Sequence, residues 1–491
     1  MHNPAVLLTT DAIRIDVTST VKADRIEFSD ADIVAVSGFC YGDDLDYTFI
    51  PIYSIDGFLE RCLPRLEDEP DDDYYRRVSA DACAKAIMSI WIGGTRSIIL
   101  IKAGDKETLI DDAVTDDEKW NNIYTRTKKA LELASQYPYV GIICSAEAEF
   151  DGYIKTTIDT ETLEFSHADN RTLSISNWDE IPFTTSEDII VYKDAVEVNS
   201  NLYTVNTYSQ TILLNYDDTD LATWTIEYYK LYDFLDLLAN ICAEAISNGG
   251  NIIQSILSSE NINVTNIASN EILTRKKEWQ NHYCKSGPRA FIPNNDKFRF
   301  VSVAVGTATF RLVDGGFIFE YGLGPMVAGL MSSLADDVTL NGRRVSFVRM
   351  TSPAPDNYEA DTLSLNGFIP VGHTVKTRRG YFDEVVPLSD QNMAIQVSEL
   401  QHTGTLRLAR RLVMKLKHQL ESVIGTNGKN IARIVSDLLS QYKSDGMLSD
   451  YDFKLSKNPR DPYKVTILLA ILPYFTSRII EVSVIAGPLK V

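Results

Sequence analysis

Residues 97–144 constrain the fold more than any other part of the chain. An apolar run, SIILIK at 97–102, leads into a helical pattern at 118–135 with Trp120, Ile123, Ala130 and Leu131 on one side. A second apolar run, YVGIIC at 139–144, follows. Strand, helix and strand at this spacing make a βαβ unit. Strands joined by a helical crossover run parallel, so a parallel sheet is expected here. The chain therefore has an α/β core. Its 491 residues exceed one ordinary domain; at about 100–200 residues per domain they make two to four. Hydrophobic content of 44% supplies a real core and excludes wholesale disorder.

Elsewhere the texture changes along the chain. Residues 11–18 alternate Ile13, Ile15 and Val17 with Arg14 and Asp16, a half-buried strand with turn-formers but no partner strand before it. A short strand is predicted at 33–36, and helices at 54–63, with Ser54 as N-cap, and at 73–91. The acidic run EDEPDDD at 67–73, broken by Pro70, reads as a loop; a solvated turn is the commoner use of such a run than a cation site. Residues 151–225 are rich in Thr, Ser, Asp and Tyr with short alternating runs at 188–192 and 210–215, an antiparallel insertion. A helix is predicted at 227–247. Beta alternation returns at 298–308, followed by a glycine-flanked helix at 322–335 and a strand at 344–350. Two amphipathic helices follow at 399–424 and 429–442, then closing strands at 464–472 and 478–485.

The expected architecture is thus mixed α/β and multidomain. A βαβ-containing domain spans 21–150 together with 291–350. A β-rich insertion spans 151–290. A C-terminal domain of two long helices and closing strands spans 351–478. Terminal strands at 1–20 and 479–491 flank them.

The formal net charge is −21, from 47 Lys and Arg against 68 Asp and Glu. Such a surface repels nucleic acid and anionic membranes. Residues 400–464 run the other way, with 12 Lys and Arg against six acids. A basic patch on an acidic protein suits an acidic partner, another copy included, as well as a solvated helix face. The six cysteines, Cys40, Cys62, Cys83, Cys144, Cys242 and Cys284, are scattered without CxxC spacing, so no disulfide scaffold is expected. The N-terminal residues lack the basic-then-apolar pattern of a signal peptide, and the apolar run 465–475 is too short for a membrane span. Synthesis and folding in the cytoplasm are expected.

Residues spaced for chemistry are few. Six histidines include no HExxH. His282 and Cys284 form a lone HxC pair, and His373 in VGHT reads as a packed turn residue. GTNGKN at 425–430 has its glycines three apart and Asn430 where a phosphate loop needs a hydroxyl, so it reads as a helix–helix turn. No GxSxG elbow is present. No catalytic, cofactor-binding or metal-ligating residue is assigned, and no cofactor is expected. The 24 Tyr and 19 Phe do not interleave with basic residues as a nucleic-acid stacking surface would.

The C-terminal third resembles that of contractile phage tail sheath proteins, in particular a divergent sheath-like group. The similarity is carried by GYFD at 380–383, LSDQ at 388–391 and TLRLARRL at 405–412. It continues through the glycine turn at 425–431, GML at 446–448 and closing strands at 463–472 and 479–485. The helix at 322–335 resembles the family's small-residue region, and YPYVGIIC at 137–144 its βαβ-ending strand. The resemblance covers about 150 residues well and about 150 more loosely; the insertion matches nothing in it.

The resemblance implies a subunit that polymerises helically around an inner tail tube and contracts to drive it through a host envelope. It implies terminal strands that add to neighbouring copies, carried here by Ile13, Ile15, Val17, Ile479, Ile480, Val482 and Val484. It implies tube-facing basic residues on the first long helix: Arg407, Arg410, Arg411, Lys415 and Lys417, of which not all five can point inward because Lys415 departs in phase from Lys417. The implied partners are further copies in stacked, hexameric rings, the tube protein, and baseplate and terminator proteins. Nucleic acid and membrane insertion are not implied. The implied location is the virion tail, assembled in the host cytoplasm. Two other readings stay open: a tube or baseplate component, and an α/β enzyme with an inserted domain.

Overall fold

A computed structural model of the protein describes residues 6–9, 12–16 and 32–474, except 260–296, 177–188, 374–383 and shorter internal stretches. Two strands, β1 (Val6–Thr9) and β2 (Ala12–Asp16), come first. Then follow β3 (Ile33–Cys40), β4 (Phe49–Ile52), α1 (Ile55–Cys62), α2 (Asp71–Ala80), α3 (Ala82–Gly93), β5 (Ile98–Asp105), α4 (Lys106–Leu109), α5 (Asp116–Ser135) and β6 (Val140–Glu149). The insertion contributes β7 (Ile154–Phe165), β8 (Thr172–Ser174), β9 (Ile189–Lys193), β10 (Val196–Glu197), β11 (Tyr203–Asn206), β12 (Thr211–Leu214) and β13 (Trp224–Tyr232). Next are α6 (Phe234–Ser247), β14 (Gln254–Ser259), β15 (Val301–Val305), β16 (Thr307–Arg311), β17 (Ile318–Gly322), α7 (Gly324–Ser333), β18 (Val345–Ser346) and β19 (Val348–Met350). The chain closes with α8 (Asn357–Leu365), β20 (Phe368–His373), β21 (Glu384–Pro387), α9 (Thr403–Glu421), α10 (Gly428–Ser444), β22 (Leu448–Asn458) and β23 (Asp461–Pro473).

Among the described residues the largest sheet has nine strands, in the order β18-β21-β20-β15-β14-β6-β3-β5-β4. The six from β20 to β5 run parallel, and β4 and the β21–β18 pair close the edges antiparallel. The βαβ unit read from the sequence is β5, α5 and β6. Its crossover passes β3, which lies between the two strands. Alternation sorts the sheet's side chains. Ala35, Phe39, Ile99 and Ile101 pack on the face covered by α5, α6, α9 and α10. Val34, Val36, Ile98 and Leu100 pack on the face covered by α1, α3 and α7. Helices α3 and α7 approach so closely that a Cβ on Gly329 would collide with the Ile90 carbonyl oxygen.

Three local readings differ from expectation. The acidic run is not all loop: Asp71, Asp72 and Asp73 form the first turn of α2, where carboxylates favour the positive end of the helix dipole. The predicted helix 73–91 is two helices, because the Asp81 carboxylate turns to cap α3, accepting from Ala84 N at 2.8 Å. The predicted helix at 227–247 begins at 234, where Asp233 caps it; Trp224–Tyr232 before it is strand β13.

The insertion forms its own antiparallel sheet, in the order β10-β9-β13-β7-β8-β12-β11, around Leu163, Leu173, Ile189, Val191, Ile212, Trp224 and Ile226. It ends with β13. Helix α6 and strand β14, expected inside it, belong to the nine-stranded sheet and its core: α6 buries Leu235, Leu238 and Ile241 there, and β14 pairs in parallel with β6 and β15.

Candidate assembly interface

The two helices after residue 400 form as the periodicity predicts. On α9, Leu406, Leu412, Val413, Leu416 and Leu420 are buried; on α10, Val435, Leu438 and Leu439 are buried with Ile431 and Ile434 partly so. They support the inner face of a four-stranded antiparallel sheet in the order β1-β2-β23-β22. Sequence reading overlooks strand β22, although Tyr451, Phe453 and Leu455 alternating with Asp450, Asp452, Lys454 and Ser456 carry the signal. Its register on β23 pairs Tyr451 with Ile471, Phe453 with Leu469 and Leu455 with Ile467. Ile467 and Leu469 are buried, and their opposites are partly buried against the same core.

The outer face and the edges of this sheet are a different matter. Leu468 is 38% exposed, Leu472 45% and Tyr474 67%, with Ala470 also exposed between them. Asp450, Asp452 and Lys454 stand opposite Leu472, Ala470 and Leu468. Strand β22 is an edge: among the described residues nothing pairs with its far side. On the other side β2 pairs antiparallel with β23, Ile13 opposite Leu469 and Ile15 opposite Ile467, and reaches only residues 466–469 of it. Open edges of this length are templates for further strands.

The structure corrects the expectation that no partner strand precedes residues 11–18, and it pairs the strand within its own chain. In the single chain, β2 has β1 folded back on it, Val6 opposite Ile15 and Leu8 opposite Ile13, and β23 of the same chain on its other side. The apolar Val6, Leu7 and Leu8 are the overlooked signal. Val17, Ile479, Ile480, Val482 and Val484 lie outside the described residues.

The basic residues of α9 are also corrected. Arg407 and Arg410 are each 1% exposed and Arg411 7%, so these three do not face outward. Spacing of three and four residues sets them on one side of the helix, and that side meets the ends of elements with spare acceptors. Arg407 donates to the carbonyl oxygens of Leu334 (2.8 Å) and Val338 (3.4 Å), beyond α7. Arg410 donates to those of Gly250 (2.9 Å) and Ile252 (3.4 Å), before β14. Burial pulls the Arg410 guanidinium down to about 10, still cationic at neutral pH. Arg411 forms a buried ion pair with Asp32. The Asp32 backbone oxygen accepts from the Ser332 hydroxyl, and a side chain on Gly141 would strike its carboxylate. Asp32 is the residue before β3, so β3, β6, α7 and α9 are knotted there; sequence reading assigns Asp32 no part. Lys415 is exposed, its ammonium 5.2 Å from the Tyr442 ring centroid, and Lys417 is half-buried.

The strongest cluster of titratable groups lies elsewhere, at the carboxyl ends of β3 and β6. Glu147 accepts from Phe39 N at 3.0 Å, and its other carboxyl oxygen is shut off from solvent with no hydrogen-bond partner among the described residues. Burial pushes its carboxyl up to about 8, with the Asp81 charge adding to the rise. Lys106 binds Asp81 at 2.7 Å. Close by, the free thiol of Cys62 is pushed up by a hydrogen bond with the Cys40 thiol and by burial, and that of Cys83 by burial. A cysteine nucleophile needs its thiolate favoured; these thiols are shifted the opposite way. Among the described residues no group of three metal-ligating side chains converges, and no helix is long and apolar enough to cross a membrane.

Neither a protein-family model nor a curated protein matches the sequence. Solved structures do match the fold. A chain of the anti-feeding prophage baseplate in its contracted state aligns over 96% of this chain and 98% of its own, with a TM-score of 0.54 at 9% identity. The anti-feeding prophage helical sheath in its contracted state aligns over 96% and 100%, with a TM-score of 0.50 at 10% identity. The contracted PVC sheath complex of an extracellular contractile injection system aligns over 96% and 98%, with a TM-score of 0.50 at 8% identity. At such identities the fold is what is shared, and it is shared over almost the whole length. This chain therefore has the mixed α/β fold of contractile sheath proteins.

Proposed function

We propose that the protein is a sheath subunit of a contractile tail or injection particle, acting by polymerisation and repacking around an inner tube. The observation that carries this reading is the near-complete overlap with sheath chains. The terminal sheet supports it, because its edges offer backbone hydrogen bonds to other copies. The arm around Ile13, Ile15 and Val17 would occupy the β23 edge of a neighbour. The segment with Ile479, Ile480, Val482 and Val484 would add to another, such as the far edge of β22. Contacts between unlike patches build open helices rather than closed dimers, and stacked hexameric rings are the finer form of this reading. Of the basic residues on α9, the exposed Lys415 and the half-buried Lys417 are the two that would meet an acidic tube.

Contraction is then a slide of rigid bodies into contacts that bury more surface. At roughly 25 cal/mol per Å² of apolar area, modest burial per subunit becomes a large sum over a particle. Such a particle, with baseplate and terminator proteins at its ends, is where the chain would work.

Deleting residues 1–18 is expected to leave a folded monomer by circular dichroism that no longer makes striated tubes in electron micrographs. Normal tubes from the truncated chain would overturn strand exchange. Discrete particles in place of tubes from the concentrated intact chain would overturn the sheath reading itself.

A further inference from the structure

We propose that the N-terminal arm of the free chain is a self-closing latch: β2 fills, on its own β23, the site that another copy's arm takes in the assembly. The proposal rests on the sheath reading. It concerns the state before assembly, and three observations lead to it.

The first is occupancy. β2 pairs with residues 466–469 of the same chain, and β1 backs it as a hairpin. The acceptor edge, which would otherwise be exposed in a free subunit, is covered by the chain's own strand.

The second is the root of the arm. Asp32 is fixed by the Arg411 ion pair, the Ser332 hydroxyl and the Ile33 N–H bond to the Tyr139 carbonyl oxygen at 3.3 Å. Gly141 leaves the space its carboxylate fills. The arm therefore departs from one fixed point of the body, whichever β23 its strand occupies. Exchange needs no rearrangement after Asp32.

The third is reach. Residues 17–31, fifteen in all, separate β2 from Asp32. Fully extended they span at most about 50 Å. That length lets the strand leave its own sheet for another copy's, yet it keeps the chain's own edge at an effective concentration on the order of millimolar. Closed and exchanged pairings make the same backbone bonds, so they are nearly isoenergetic. At micromolar concentration the closed form wins, and the −21 net charge holds copies apart besides. Polymerisation then waits for a template that raises local concentration or supplies the first open edge.

The test is cross-strand chemistry on the intact chain. The Ile13→Cys, Leu469→Cys double variant is oxidised mildly with diamide, as a mixture of isotope-labelled and unlabelled protein. Peptide mass spectrometry then assigns each disulfide between positions 13 and 469 to one chain or two. The latch requires links within one chain in the monomer fraction and between chains in tubes. A monomer fraction without within-chain links overturns the latch, even if tubes link between chains as the sheath reading requires. Within-chain links in a protein that never forms tubes would instead overturn the sheath reading and leave the latch standing.

Hydrogen exchange supplies the second measurement, since added thiols can disturb pairing. Ile15→Pro removes one ladder donor from β2. The β23 amides facing β2 within 466–469 should then exchange at least tenfold faster in the monomer, while those facing β22 do not change. Equal rates in both proteins would overturn the latch.

Discussion

In the nine-stranded sheet both faces lie under helices, and both edges end in short antiparallel strands, one of them carrying Pro51 in place of a ladder donor. In the terminal four-stranded sheet one face is covered; the other presents Leu468, Leu472 and Tyr474, and its two long strands run to 11 and 13 residues with edge left over. The first sheet is finished within one chain; the second leaves an apolar face and strand edge uncovered. On the sheath reading, association belongs to the terminal sheet and not to the body, and stability and assembly should separate by mutation.

The largest effect on stability should come from breaking the knot at Asp32. Arg411→Ala leaves a buried carboxylate without its cation and should cost about 3–5 kcal/mol in denaturant unfolding; a loss below about 1 kcal/mol would make the knot incidental. Gly329→Ala comes next. Its methyl meets the Ile90 backbone, which cannot yield as a side chain can, so a loss of about 2–3 kcal/mol is expected.

Glu147→Gln should act in the opposite direction and depend on pH. The folded chain holds the Glu147 proton up to about 8, whereas an unfolded glutamate loses it near about 4.3. Between those values the folded state binds the extra proton, so stability falls as pH rises. The variant should remove that slope, which is at most about 1.4 kcal/mol per pH unit, and so be the more stable protein at pH 9, with little change at pH 4. Parallel stability curves for the two proteins would contradict the assignment. The smallest stability effect, within about 0.5 kcal/mol, belongs to Leu468→Ser on the open face. Even so, it should weaken tube formation, measured by sedimentation. If the body variants impair assembly at temperatures where they remain folded, or if Leu468→Ser unfolds the chain, the division between the two sheets fails.

How much of this was legible in the sequence follows from where the deciding forces act. The βαβ unit and the two long helices were readable because their apolar periodicity is local and strong. Asp81 and Asp233 are short-range signals too, and reading them as N-caps would have broken one predicted helix and delayed another. The arginines of α9 were not legible. A guanidinium at 407, 410 or 411 looks the same in sequence whether it meets solvent or the carbonyls of Leu334, Gly250 and Ile252, whose contacts with it span 73, 160 and 158 residues. The same holds for Asp32, whose partner Arg411 is 379 residues distant. The self-pairing of β2 was half legible: its alternation was visible, but its partner β23 lies near the other end of the sequence.

The first and last strands of the insertion pair directly, Ile154 opposite Tyr232, so the polypeptide leaves and re-enters the body at nearly the same place. A unit suspended from such a two-strand stem can be exchanged for another whose ends meet at similar spacing, without re-threading the nine-stranded sheet. The position is thus a natural socket for grafted receptors, labels or enzymes on this chain.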